Sequence, residues 1–223
     1  MEIESKRSIY ALGIGHNTLE CLDLAVDCGY HVEGLFHYDG SRTHEVVQGY
    51  TILGSFDDLF KSGLVKGNSF VLTMGDNQIR ASLCEQITEQ GGFLPTLIHP
   101  KANVSRFAVL SPKGVQVYPY VNIMSDTRIG DDTIILSHAI IAHTTKVGNH
   151  CLVSLRATIG AYTVVEDFVD MGMGALSISG KVETIGYHAL IGASSLLTRA
   201  VEPYAIMVGS PAREMGKTIP PQT

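Results

Sequence analysis

Every sixth residue from Val117 to Met171 is aliphatic or Met: Val117, Ile123, Ile129, Ile135, Ile141, Val147, Val153, Ile159, Val165, Met171. The residue four places after each is nearly always small or β-branched: Val121, Thr127, Thr133, Ala139, Thr145, Cys151, Ala157, Thr163, Val169, Ala175. A helix repeats every 3.6 residues and a strand every 2, so neither produces this pattern. A fixed short period marks a solenoid. A period of six predicts a parallel β-helix, three hexads to each triangular coil. The aliphatic residue of each hexad points inward and stacks on its equivalents above and below, and the small residue fits near a corner. Between Leu176 and Glu183 the register slips by two residues and resumes at Ile185, Ile191 and Leu197. Such a slip predicts a loop or bulge at one corner. From Pro203 to Arg213 the repeat is lost, which predicts a cap over the last coil.

Ahead of the repeat the pattern differs. Ile9 to Leu12 is a short apolar run, followed by the turn Gly13-Ile14-Gly15-His16-Asn17. Thr18 to Cys28 places Leu19, Leu22, Leu24 and Ala25 at helical spacing, and Gly29 suits a C-terminal cap. His31 to Phe36 reads as a second strand. Strand, glycine turn, helix and strand open a βαβ unit. Tyr38 to Tyr50 reads as a polar loop, and Phe56 to Phe60 as a short helix capped by Ser55. Ser69 to Met74 reads as a buried strand. Gln78 to Gln90 reads as a helix with Ile79, Leu83 and Ile87 on one face, and Phe93 to Ile98 as a last strand. Residues 1–99 therefore predict a Rossmann-like α/β domain, and 100–223 the β-helix domain, with the boundary at His99-Pro100. Ligands of open parallel sheets lie outside the carboxyl ends of the strands. That rule draws Gly13 to Asn17, His37 to Asp39 and Gly75 to Asn77 around one crevice. The glycine turn is either a phosphate cradle at a helix N-terminus or a plain tight connection.

Composition narrows the function classes. Of 223 residues, 45% are hydrophobic and 17% charged, with a net charge of -6 and no basic cluster, which argues against nucleic acid as partner. Cys21, Cys28, Cys84 and Cys151 are scattered without a CxxC pair, so zinc fingers and thioredoxin chemistry have no support. No apolar run is long enough for a membrane span, and the acidic start MEIESKRSIY does not read as a signal peptide. A reduced, cytoplasmic protein is the expectation.

Five segments then converge on a family. They are the turn Ile9 to Asn17, Met74-Gly75-Asp76-Asn77-Gln78-Ile79-Arg80, Leu97-Ile98-His99-Pro100, Ile141-Ala142-His143-Thr144-Thr145-Lys146-Val147-Gly148, and Val208-Gly209-Ser210-Pro211-Ala212-Arg213. In this order and on this two-domain plan the chain resembles the bacterial nucleotide-sugar acetyltransferases, which join a Rossmann-like domain to a left-handed β-helix. The group includes UDP-4-amino-sugar N-acetyltransferases and sialic acid O-acetyltransferase-like proteins. The resemblance implies a homotrimer with acetyl-CoA as co-substrate in the cleft between neighbouring β-helices, and no metal. It also implies a nucleotide sugar bound by the first domain, around Gly13, Gly15, His16, Asn17, His37, Asp39, Gly75 and Asn77. His143 matches the family's general base, with His138 and His150 as rivals or supporting residues. Gly172, Gly174, Gly192, Ala193, Gly209, Pro211 and Arg213 fall where acetyl-CoA is expected. An imidazole suits the base role because it titrates near the operating pH.

The chain departs from the family at several points. The position after the base, usually acidic, is Thr144. Leu152 stands where a second histidine is common. The stretch from His143 to Ile185 is about one coil plus two residues longer than the family's. The usual Gly-His-Gly is weakened to His16-Asn17-Thr18, and the acidic pair after the second strand becomes His37-Tyr38, with Asp39 next. The leading expectation is acetyl-CoA-dependent N-acetylation of a nucleotide-linked amino sugar. Sugar O-acetylation, a non-catalytic trimeric binding or scaffold protein, and a zinc site shared between subunits through His138, His143 and His150 are the alternatives.

Overall fold

The computed structural model describes residues 7–218. Residues 1–6, the acidic start read above as no signal peptide, and residues 219–223 lie outside it. The chain forms two compact units, Met1–Leu97 and Ile98–Thr223.

In the first unit β1 (Arg7–Leu12), α1 (Thr18–Asp27) and β2 (Tyr30–His37) form the expected βαβ opening. The segment read as a polar loop instead holds β3 (Val46–Val47), which forms a hairpin with the unassigned β4 (Tyr50–Ser55), and β4 joins the sheet parallel to β2. Then come α2 (Phe56–Ser62), β5 (Phe70–Leu72) and α3 (Asn77–Glu89). The sheet order is β3-β4-β2-β1-β5, parallel apart from the hairpin. The predicted strand Phe93 to Ile98 shrinks to a single bridge between Ser69 and Phe93 and a two-residue strand, Leu97–Ile98.

Both faces of this sheet are covered. Leu12, Phe36, Phe70 and Leu72 pack with Leu59 of α2 and Leu83, Cys84 and Ile87 of α3. Helix α1 is absent from that cluster. Its buried residues Cys21, Leu22, Leu24 and Ala25 serve the opposite face, where strand alternation sends Ile9 and Ala11. Two predicted helix faces are corrected by a step. Leu19 and Ile79 are exposed, while Cys21 and Arg80 are buried in their place. In α3 the buried series Arg80, Leu83, Cys84 and Ile87 keeps the helical period, and Ile79 falls just outside it.

The second unit is the expected left-handed parallel β-helix, with three sheets of two-residue strands. Ile129 pairs with Val147, and Val147 with Val165, so one coil is eighteen residues. Val165 then pairs with Ile185, twenty residues on, which is the predicted two-residue slip. The ten inward aliphatic positions are all buried. At the small position, buried Thr127, Thr133, Thr145 and Thr163 donate their hydroxyls to carbonyls of the next coil: Ala142, Gly148, Gly160 and Val182, at 2.8–3.2 Å. Threonine thus fills the corner and leaves no buried hydroxyl unsatisfied. The repeat also fixes the corners. One residue per hexad, three after the inward one, adopts positive φ: Tyr120, Asp126, Asp132, His138, Thr144, His150, Arg156, Tyr162 and Phe168 in unbroken series. Side chains with a Cβ are held in this costly conformation because the N–H donates to the coil below, as from Thr144 to Ser125 and from His150 to Asp131. The cap is an antiparallel hairpin, Ala205–Gly209 with Ala212–Lys217, whose first strand continues one of the sheets.

Candidate functional site

The three candidate histidines lie on three different corners of the β-helix. His138 lies between Ile134–Ile135 and Ile140–Ile141, His143 between Ile140–Ile141 and Lys146–Val147, and His150 between Lys146–Val147 and Leu152–Val153. Within one chain they do not converge, and no group of three or more His, Cys, Asp or Glu among the described residues is placed to hold a metal ion.

His138 and His150 occupy the positive-φ position itself. His138 stacks on Tyr120 with ring centroids 5.0 Å apart. His150 stacks on Phe168 at 5.0 Å and sets Nδ1 3.0 Å from Oδ2 of buried Asp132. His143 stands one residue earlier, and Thr144 takes the positive φ. Its imidazole is exposed. Nδ1 lies 3.2 Å from the Thr144 hydroxyl, and the edge of Tyr162, one coil on, meets the ring at 5.2 Å. With Nδ1 engaged, Nε2 is the nitrogen available to a substrate. Two carboxylates at the next corner, that of His150, are occupied in joining coils. Asp167 accepts from the Asn149 N–H and side-chain amide at 2.7 and 3.2 Å, and Glu166 from the Tyr187 N–H at 2.6 Å. They line an open depression of about 410 Å³ with Lys146, Val164 and Tyr187.

The glycines expected along acetyl-CoA have folding reasons of their own. A Cβ on Gly172 would run into the Ile191 carbonyl of the next coil, and Gly174 carries the corner's positive φ. Gly172 and Gly174, with Gly192 and Ala193 one coil later, follow the corner of His138, so one chain does not bring them to His143. Gly209, Pro211 and Arg213 sit at the turn of the cap hairpin.

In the first unit the three expected turns leave adjacent strands at one level. Leu12 pairs with both Phe36 and Leu72, and the chain after each forms the Gly13, His37 and Gly75 segments. Gly13 has φ of 103°, and a Cβ there would lie 2.8 Å from the Thr73 hydroxyl, so the fold itself requires glycine. Its carbonyl accepts from Thr73 at 2.9 Å. Gly15 is open, with room for a Cβ, and its N–H donates to the Thr18 hydroxyl at 2.8 Å. His16 and Asn17 are exposed. Helix α2 has a capping box from Ser55 and Asp58, and Asp76 caps α3 through the N–H groups of Gln78 and Ile79. The N-cap of α1, Asn17, makes no such side-chain bond. The helix after the glycine turn therefore presents its N-terminal N–H groups and positive dipole end without a side-chain acceptor from its cap. At the end of β2, buried His37 sets Nδ1 3.1 Å from Asp39 Oδ1, and hydrogen bonds from Ser41 hold the Asp39 pKa down at about 2. Asn77 is buried at the start of α3.

Sequence reasoning missed several supporting residues. Fully buried Arg80 donates to the Gly75 carbonyl at 2.9 Å and fixes that turn, although an arginine inside a helical stripe gives little sign of burial. Tyr162 also went unread, and Tyr38 was noted only as a departure from an acidic pair. For Tyr162 the signal was present, since it lies one coil plus one residue after His143.

No family model matches the chain. Solved structures do match over nearly its whole length. A histidine-to-asparagine mutant of perosamine N-acetyltransferase from Caulobacter crescentus, in complex with CoA and GDP-perosamine, is 26% identical. The match covers 94% of this chain and 97% of that one, with a TM-score of 0.76. WeeI from Acinetobacter baumannii AYE is 18% identical over 94% and 100%, TM-score 0.82. The acetyltransferase domain of PglB from Neisseria gonorrhoeae FA1090, in complex with acetyl coenzyme A, is 22% identical over 95% and 100%, TM-score 0.61. The last two share the fold. The resemblance to nucleotide-sugar acetyltransferases drawn from the sequence thus has structural counterparts across both units.

Proposed function

We propose that the chain is an acetyl-CoA-dependent N-acetyltransferase acting on a nucleotide-linked amino sugar, with His143 as general base. The observation that carries this reading is the full-length likeness to an N-acetyltransferase solved with CoA and GDP-perosamine. The exposed His143 and the α1 N-terminus that lacks a side-chain cap support it from this chain's own residues. In this reading the diphosphate of the sugar nucleotide lies at Gly13 to Thr18, where backbone N–H groups and the helix dipole favour an anion.

The reaction follows from the histidine's geometry. The sugar amine attacks the thioester carbonyl, and Nε2 of neutral His143 takes the amine proton as the C–N bond forms. Collapse of the tetrahedral intermediate breaks the C–S bond, and the imidazolium returns the proton to the departing thiolate. Where the Thr144 hydroxyl accepts from Nδ1–H, Nε2 carries the lone pair that takes the proton, and the contact orients the ring. The acetyl-CoA glycines and His143 sit on different corners, which fits an active site completed by a second copy, and a homotrimer is the proposed assembly.

The test is thiol release from acetyl-CoA with GDP- and UDP-linked 4-amino sugars as acceptors, with sugar hydroxyl acceptors run in parallel and products weighed by mass spectrometry. Acetylated amino sugar, lost in His143→Ala with the fold intact, is the expected result. Transfer only to a hydroxyl would replace the acceptor class, and full turnover by His143→Ala would remove the base. Failure to bind any acyl-CoA would end the enzymatic reading.

A further inference from the structure

We propose that the exposed ring of Tyr38 is the platform on which the nucleobase of the bound nucleotide stacks. The inference rests on the nucleotide-sugar reading above and adds the residue that carries the base. Tyr38 follows the last residue of β2. That strand lies beside β1, and the Gly13 N–H donates to the Phe36 carbonyl at 2.9 Å. The ring therefore emerges beside the glycine turn, at the strand ends where such sheets hold ligands.

Tyr38 is 71% exposed, and it is held in that position. Its ring rests on the buried His37 imidazole, with centroids 4.3 Å apart. The ring is thus supported on its His37 side and open to solvent over most of its surface. Asp39 is fixed by the Ser41 N–H at 2.9 Å, the Ser41 hydroxyl at 2.5 Å and His37 Nδ1 at 3.1 Å. These bonds fall on Oδ1, so Oδ2 of the half-exposed Asp39 remains an acceptor of the kind that in many dinucleotide-binding sheets takes a ribose hydroxyl. The Tyr38 ring adds a stacking surface at the same turn. Every base has a π-face, so stacking suits a nucleoside diphosphate whose phosphates are held at α1.

The test is calorimetric titration of the full chain with GDP, UDP, dTDP and inorganic pyrophosphate, for wild type, Tyr38→Phe and Tyr38→Ala. Tyr38→Ala is expected to weaken the nucleoside diphosphates by about 5- to 150-fold and to leave pyrophosphate unchanged. Tyr38→Phe, which keeps the ring, is expected to stay close to wild type. Equal nucleotide affinity in Tyr38→Ala overturns the platform and leaves the nucleotide reading standing. An equal loss for pyrophosphate, or an equal loss in Tyr38→Phe, also overturns it, because the ring would then not be the feature that matters. A wild type that binds none of the three nucleotides brings down both readings.

Discussion

His143 and His150 sit on neighbouring corners of one β-helix, one residue apart in hexad phase. His150 takes the positive-φ position, where residues of successive coils lie above one another. It joins a column that starts at Asp132 and continues through Phe168, His188 and Tyr204, with ring spacings of 5.0, 4.7 and 5.7 Å. Tyr187 closes the column edge-on against Phe168, His188 and Tyr204. His143 stands one step earlier. Its ring meets Tyr162 by an edge and Thr144 by a hydroxyl, and stays exposed. At the corner of Asp132 the in-phase histidine is built into the scaffold, whereas in-phase His138 and Tyr162 at the other corners stay exposed. His143, one residue out of phase, is supported on one side and open to a substrate on the other.

Exchanging the two roles by mutation tests this contrast. His143→Asn should lower acetyl-transfer kcat/KM by about 10²- to 10⁴-fold, the usual contribution of a general base, with Tm close to wild type. A large fall in Tm would mean that this corner is scaffold as well. Phe168→Ala, in the middle of the column, should do the reverse. It removes ring contacts with His150, Tyr187 and His188, and about 1–3 kcal/mol of stability, read by denaturant unfolding. The residual acetyl transfer of folded Phe168→Ala should match wild type. An unchanged unfolding midpoint would show that the rings merely lie near one another.

The same contrast explains what the sequence disclosed. A period of six that survives ten hexads places every inward residue, because one missed step would put an aliphatic side chain in water. The slip before Ile185 was readable for the same reason. The corner column was also readable in principle, as Asp132, His150 and Phe168 are eighteen apart, but its next member is displaced by the slip to His188. In the first unit nothing repeats. The strand Tyr50–Ser55 went unassigned beyond the loop that ends at Tyr50, because Gly54 and the polar Thr51 and Ser55 hide its alternation. Arg80 was invisible because its burial depends on a carbonyl that only the fold brings to it. The cap on α2 could be seen in Ser55. The lack of a side-chain cap on α1, which marks the candidate anion site, needed coordinates.

A weaker effect reads the column through pH. Burial between Phe168 and Tyr204 pushes the His188 pKa below its ordinary 6.5. The unfolded chain then takes up the proton first. The stability from neutral His188 is complete above pH 6.5 and is lost as pH falls from there toward the folded-state pKa. Tm should accordingly decline as pH falls below 6.5. His188→Phe should flatten that decline, since Phe168 shows that this corner accepts a phenyl ring. Identical pH dependence in the two proteins would place the titration elsewhere.

The smallest expected effect lies at the open corner. Thr144→Val keeps the β-branched shape at the positive-φ position and removes only the hydroxyl 3.2 Å from His143 Nδ1. A single neutral hydrogen bond contributes about 0.5–1.5 kcal/mol, so turnover should fall about 2- to 10-fold. The loss should come in kcat with little change in the KM for acetyl-CoA, because Thr144 acts on the tautomer of the base and touches no substrate in this reading. Thr144→Ser should restore most of it. Thr144→Asp should move the pH–rate profile in a definite direction: a carboxylate at Nδ1 stabilises the imidazolium, so the acid limb of kcat/KM shifts to higher pH. If Thr144→Val and Thr144→Asp both leave the pH–rate profile and kcat unchanged, the hydroxyl does not orient His143, and the support on that side of the ring reduces to Tyr162.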